Sequence, residues 1–289
     1  MELSKKFLVT VSEDYSKLYG VKFLASFLTN LKNIFIDLIY IAPNPKKNHP
    51  QNGSEALITH NLKESYQKKG QEALNTALDY LVNHNFKKEH IKTIFKYQSY
   101  STAEDLIYEA HKGLYDALVL GNRGLSFLEE KIFGSVTKNI LKAKIDFPVW
   151  VCREPQIKNR NVVICVDGSR ESYCVADHVG FVLNDQPEHK IYLLHILDKD
   201  SKDPYQLFKK AEEEITGNGF PRTHIESKIL QGKDVCSLIL NFAKEKKAGV
   251  VALGKSDSEE KIFSLFFKSN SVSSEIFKRF EHMALWMCK

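Results

Sequence analysis

Short apolar runs bounded by polar or turn-forming residues alternate along this chain with longer stretches of helical period. Leu8-Val9-Thr10-Val11, Asp37-Leu38-Ile39-Tyr40-Ile41 and Asp116-Ala117-Leu118-Val119-Leu120-Gly121 are runs of the first kind, and residues 101–112 and 234–246 are stretches of the second. A run that is apolar at nearly every position has two faces to bury, whereas an amphipathic helix has one. Their alternation predicts an α/β protein in which a parallel sheet lies between two layers of helices, doubly wound with right-handed crossovers.

The pattern then starts again. Val163-Ile164-Cys165-Val166 reopens it, and Tyr192-Leu193-Leu194-His195-Ile196 and Ala248-Gly249-Val250-Val251-Ala252-Leu253-Gly254 follow in the same order. Pro148-Val149-Trp150-Val151-Cys152 returns as Ala284-Leu285-Trp286-Met287-Cys288, and Glu129-Glu130-Lys131-Ile132-Phe133 as Glu259-Glu260-Lys261-Ile262-Phe263. Such self-similarity predicts two copies of one unit of about five strands. They span residues 1–153 and 160–289, with the polar, proline-bearing segment 153–160 as linker.

A length of 289 residues suits two domains better than one. With 43% hydrophobic and 27% charged residues, the disordered, collagen-like and coiled-coil classes drop out. The net charge of +5 is spread without a basic block, so nucleic acid is not indicated as a partner. No apolar run approaches the ~20 residues of a membrane span, and the N-terminus enters a strand-like run without a signal-peptide core. A cytoplasmic protein without membrane contact is therefore expected. The cysteines form no CxxC pair, which argues against disulfides and zinc; Cys152, Cys165 and Cys288 fall inside apolar runs and read as core thiols.

Ligands of a doubly wound sheet bind beyond the carboxyl ends of the strands, where strand order reverses. After the fourth apolar run come Gly121-Asn122-Arg123-Gly124, nine further residues, and Gly134-Ser135-Val136 at the head of a helical stretch. Glycines let backbone amides close on a phosphate without an intervening Cβ. Gly134 and Ser135 would present a helix N-terminus, a ready anion site, and Arg123 a charge-assisted contact.

This spacing resembles the ATP-binding branch of the universal stress protein family, and the resemblance runs through both halves. It implies a strand order of 3-2-1-4-5 in each half, with the last strands pairing the halves as an internal pseudo-dimer. It also implies that the first half binds an adenine nucleotide (ATP, ADP or AMP), with or without Mg²⁺. On that resemblance Ile41 takes the adenine side, Val11 and Ser12 the end of the first strand, and Gly121, Gly124, Gly134, Ser135 and Val136 the ribose and phosphates.

Departures from the family are as informative. An aspartate usually follows the first strand; here Ser12 stands there, with Glu13 and Asp14 behind it. The second half has Val166-Asp167-Gly168-Ser169 at that place, but continues as Gly254-Lys255-Ser256-Asp257 with Asn270-Ser271-Val272 at a longer spacing. Its second and third glycines are missing, and Asp257 would repel phosphate. Residues 249–256 spell the P-loop pattern G-x-x-x-x-G-K-S, yet the four variable positions are Val-Val-Ala-Leu, a strand instead of a phosphate loop. No G-x-G-x-x-G follows either first strand, so a nicotinamide cofactor is not expected. His195, His111 and His282 lack partners at ligand spacing and read as core or strand-end histidines. Trp150 and Trp286 read as core or strand-pairing residues, and the stretch from Pro43 to about Ser54 as a solvated loop.

No catalytic set or metal cluster accompanies the glycine loop, so the chain reads as a nucleotide-binding regulatory protein of the stress response, at most a very slow ATP hydrolase. Its protein partners and self-association stay open. The competing reading is a degenerate tandem that binds no nucleotide and serves as an interaction scaffold; Ser12 and the eroded second loop speak for it.

Overall fold

The computed structural model describes residues 3–45, 53–121, 135–197, 203–255 and 272–288. In the first half, strands β1 (Lys5–Thr10), β2 (Ile34–Ala42), β3 (Ile91–Tyr97), β4 (Ala117–Gly121) and β5 (Val149–Cys152) alternate with helices α1 (Tyr19–Phe27), α2 (Gly53–Asn83), α3 (Thr102–Gly113) and α4 (Ser135–Lys142). The second half repeats that order as β6 (Asn161–Cys165), α5 (Arg170–Leu183), β7 (Ile191–Leu197), α6 (Pro204–Gly217), β8 (Ile225–Gln231), α7 (Val235–Glu245), β9 (Ala248–Gly254), α8 (Val272–Arg279) and β10 (Ala284–Cys288).

All these strands form one sheet, ordered β3-β2-β1-β4-β5-β10-β9-β6-β7-β8. Each half is parallel with the order 3-2-1-4-5, and the halves meet where β5 and β10 pair antiparallel. Successive residues of a strand serve opposite faces: Phe7, Val9, Leu38 and Val162 pack beneath α1, α2, α5 and α6, while Leu8, Ile39 and Val163 pack beneath α3, α4, α7 and α8. That two-sided burial is why the strand sequences are apolar throughout.

Local chemistry sets the helix ends. At the start of α3 the Ser101 hydroxyl accepts the Glu104 N–H at 3.2 Å while the Glu104 carboxylate accepts the Ser101 N–H at 3.0 Å, a reciprocal cap. Ser101→Ala is expected to lower stability by about 1 kcal/mol, seen as a drop in thermal midpoint that Ser101→Asp does not share. The loop expected up to Ser54 gives way to α2 from Gly53, and residues 46–52 lie outside the described residues. α2 crosses the sheet so closely that a Cβ on Gly70 would fall 2.6 Å from the Phe95 ring and 2.7 Å from that of Tyr40.

Trp150 and Trp286 face each other in register across the β5–β10 joint, fully buried and stacked with centroids 3.8 Å apart and planes 5° from parallel. Phe23 stands edge-on to both at 6.2 and 6.4 Å, and His178 lies 5.7 and 5.8 Å from the same pair. Phe23 lies 12 residues beyond Val11 and His178 lies 12 beyond Val166, so the two are equivalent. The chemistry breaks the symmetry. His178 Nε2 accepts the Trp150 indole N–H at 3.0 Å, whereas Phe23 offers no acceptor and the Trp286 N–H is buried without a partner.

A polar seam adds to the joint. The fully buried Lys5 ammonium donates to Asn184 Oδ1 at 2.8 Å and pairs with Asp185. Gln186 Oε1 accepts the N–H groups of Thr29 at 2.8 Å and Asn30 at 3.0 Å, and His189 Nε2 donates to the Phe27 carbonyl at 2.9 Å. Arg153, at the head of the expected linker, is buried as well: its guanidinium donates to the Phe277 carbonyl at 3.2 Å and to that of Phe280, and lies 4.2 Å over the Phe280 ring. Carbonyls at a helix end have no intrahelical donor, and that need draws the arginine inward.

Candidate functional site

Strand order reverses between β1 and β4, and it is beyond the carboxyl ends of strands at such a reversal that doubly wound sheets take their ligands. Val11 and Ser12 follow β1, Ile41 lies near the end of β2, and Gly121 ends β4, so these four occupy three adjacent strand tips. Val11 N–H donates to the Ile39 carbonyl at 2.9 Å, carrying the ladder past the strand proper. The side chains diverge: Val11 packs into the layer under α1 and α2, whereas Ile41 and Val136 pack on the opposite layer under α3 and α4. Ser135 is the first residue of α4, where backbone N–H groups have no intrahelical acceptor. Arg123, Gly124 and Gly134 lie outside the described residues.

The acids behind Ser12 are both engaged. Tyr40 O–H donates to Glu13 Oε1 at 2.7 Å, and Lys69 Nζ stands 3.7 Å from Glu13 Oε2. Burial, and after it the Glu13 hydrogen bond, pushes the Tyr40 phenol well above its ordinary value. Asp14 Oδ1 accepts from the Ser16 N–H at 3.2 Å and the Ser16 hydroxyl at 2.6 Å, with Lys17 Nζ 3.0 Å from Oδ2. The Ser16 hydroxyl, followed by Lys17, holds the Asp14 carboxyl down at about 2. Asp167 makes the same turn with Ser169, at 2.9 and 2.6 Å. The aspartate turn of the second half is therefore present in the first, two residues farther from the strand. Counting from the strand end leads to Ser12; the shared spelling Asp14-Tyr15-Ser16 and Asp167-Gly168-Ser169 is the signal that finds the turn.

In the second half, Ser169 caps α5 by accepting the Ser172 N–H at 3.1 Å. His195 is buried within β7, its Nδ1 donating to the Val166 carbonyl at 2.6 Å and its Nε2 unpartnered. His111 and His282 are not core residues: His111, in the last turn of α3, pairs with Asp146 at 3.3 Å near solvent, and His282 is exposed in a turn at φ 55°. Gly249–Leu253 lie within β9, as expected for a false P-loop match. A Cβ on Gly254 would fall 2.4 Å from Ser172 N, so packing against α5 demands that glycine, whereas one on Gly121 would have only ordinary neighbours at 3.5 Å. Lys255 is buried and donates to the Leu141 carbonyl in α4. Ser256, Asp257, Asn270 and Ser271 lie outside the described residues. Among the described residues, no group of three or more His, Cys, Asp or Glu is placed to hold a metal ion, and no helix is long and apolar enough to cross a membrane.

The fold is a tandem of doubly wound α/β units sharing one sheet. The universal stress protein family matches residues 4–153, and the chain belongs to that family. Among solved structures, a universal stress protein from Archaeoglobus fulgidus DSM 4304 is similar with a TM-score of 0.71 at 16% identity, over 98% of this chain and 96% of its own. A Pseudomonas aeruginosa UCBPP-PA14 protein described as a universal stress protein gives a TM-score of 0.53 at 11% identity, over 99% of this chain and 93% of its own. At these identities the likeness concerns the fold. No curated protein matches the chain.

Proposed function

We propose that the first half, residues 1–153, binds an adenine nucleotide, ATP or AMP, and that this binding governs the protein's part in the stress response; residues 160–289 form its partner unit. The reading is carried by one sequence of elements. β4 ends at Gly121 and α4 begins at Ser135, so the two glycines of 121–124 and the pair Gly134-Ser135 bracket the path from a strand tip at the reversal to a helix N-terminus. In this reading Arg123 adds charge at the phosphates, and Val11, Ser12, Ile41 and Val136 border base and ribose. Glu13 and Asp14 are taken up by Tyr40, Lys69, Ser16 and Lys17, so Mg²⁺ would be held by phosphates and water instead of protein carboxylates. Binding, with turnover at most very slow, is the expected activity.

Thermal unfolding with ATP tests this. At about 100-fold excess over Kd a bound ligand adds about 2.7 kcal/mol, so the wild type is expected to melt higher with ATP than without. Gly134→Asp sets a carboxylate against the phosphates; it is expected to melt like the wild type alone and to show no rise with ATP. A wild type that does not shift at millimolar ATP overturns the reading in favour of an interaction scaffold.

A further inference from the structure

The sheet ends on one side at β3 and on the other at β8, and the two edges differ in kind. β8 follows β7 along its whole length without a bulge, and it holds no proline. Glu226, Ser227, Lys228, Ile229 and Gln231 are exposed, while Ile225 packs on the layer under α5 and α6 and Leu230 on the layer under α7 and α8. Among the described residues, no backbone hydrogen bond reaches residues 226–231 from outside the β7–β8 ladder. An edge strand turns every second N–H and C=O outward, so a row of donors and acceptors stands open to a further strand.

Natural edges are commonly closed to pairing by lysines, and β3 fits that rule: turned antiparallel about Ile94 onto a second β3, Lys92 would face Lys96 in both places. The order of residues in β8 does the reverse. Turned antiparallel about Ser227 onto a second β8, Glu226 of each strand faces Lys228 of the other, and Ile225 faces Ile229, which is 41% exposed in the single chain. Glu226 and Lys228 lie on one face of the strand, and Ile225 and Ile229 on the other. Contact across a two-fold axis needs a surface that complements itself, and this strand does so in charge and in apolar surface at once. Glu226 already has Lys190 Nζ at 3.7 Å, so its carboxylate would stand between two cations. We propose that β8 is the face on which a second copy of this chain docks, joining the two sheets edge to edge about a two-fold axis at Ser227.

One strand pair is a small interface, so sedimentation of the full chain from about 5 to about 500 μM is the measurement, with a dissociation constant expected inside that range. Lys228→Glu sets glutamate against glutamate at both places and is expected to raise that constant on the order of tenfold. Glu226→Lys does the same with lysines. Both side chains are exposed, so each variant is expected to keep the wild-type melting temperature. The two exchanges carried in one chain restore opposite charges and are expected to recover wild-type association. The two single variants mixed in equal amounts are expected to associate with each other more tightly than either does with itself. A wild type that stays monomeric to the top of the range overturns the proposal. A dimer that either single exchange leaves unchanged also overturns it, since the copies would then meet on another face. So does a double exchange, or a mixture, as weak as the single variants.

Discussion

Trp150→Ala is expected to lower stability by about 3–5 kcal/mol, the range for removing a buried large aromatic. The ring lies at the one place where the halves share a strand pair, stacked on Trp286 and bordered by Phe7, Phe23 and His178. Its loss opens a cavity in a layer that runs without interruption from one half into the other and leaves His178 Nε2 without its donor. Because the layer is continuous, both halves are expected to unfold in one transition at lower denaturant, instead of one half separating first. Phenylalanine replacements sharpen the test. Trp150→Phe breaks a hydrogen bond, whereas Trp286→Phe removes an N–H that has none, so the second is expected to cost less by about 1–2 kcal/mol. Urea unfolding of the four proteins decides; a Trp150→Ala cost below about 1 kcal/mol would mean that the joint is not packed as described.

Acid is expected to have the other large effect. Burial holds His178 down at about 3 and His189 at about 4, against an ordinary value of 6.5. Both are neutral in the folded protein, while in the unfolded chain both take up a proton as the pH falls through 6.5. The unfolded state then binds about two more protons, and stability, complete above that value, declines by about 2.7 kcal/mol per pH unit at full slope. Near pH 4 the folded protein begins to accept a proton at His189, and the slope falls by about half. Asp185, Arg160 and the Gln186 and Phe27 carbonyls around His189 modulate its value, but desolvation dominates. Denaturant titrations at pH 7, 6 and 5 measure the slope. His189→Gln, which keeps an N–H for the Phe27 carbonyl, is expected to remove about half of it. Equal stability from pH 7 to 5 would be incompatible with neutral, buried histidines at both positions.

The candidate site was legible to different depths. Glycine spacing and the strand before it mark a candidate loop from letters alone, and of that spelling the structure describes Gly121 at the end of β4 and Ser135 at the start of α4. The second half's first glycine shows the limit of such spelling: Gly254 matches the motif, yet the approach of Ser172 is what demands it. Ser12 shows another. Judged by its place after the strand it is a lost aspartate, but Asp14 forms the turn that Asp167 forms, and only the shared hydrogen bonds to Ser16 and Ser169 expose the equivalence.

Burial on two faces leaves a periodic trace at every strand, so the repeat, the parallel sheet and the succession of strands and helices could be read from residue order. Contacts made across the joint leave no such trace. That Arg153 leaves its linker for α8, that Lys5 is buried against Asn184 and Asp185, that His178 takes the place of Phe23 beside the tryptophans, and that Lys255 finds Leu141 all depend on where β10 sets the second half against β5. These partners are more than 100 residues apart or belong to different elements, and side chains of ordinary type acquire their roles only once the antiparallel pairing has brought unsatisfied carbonyls and buried rings within their reach.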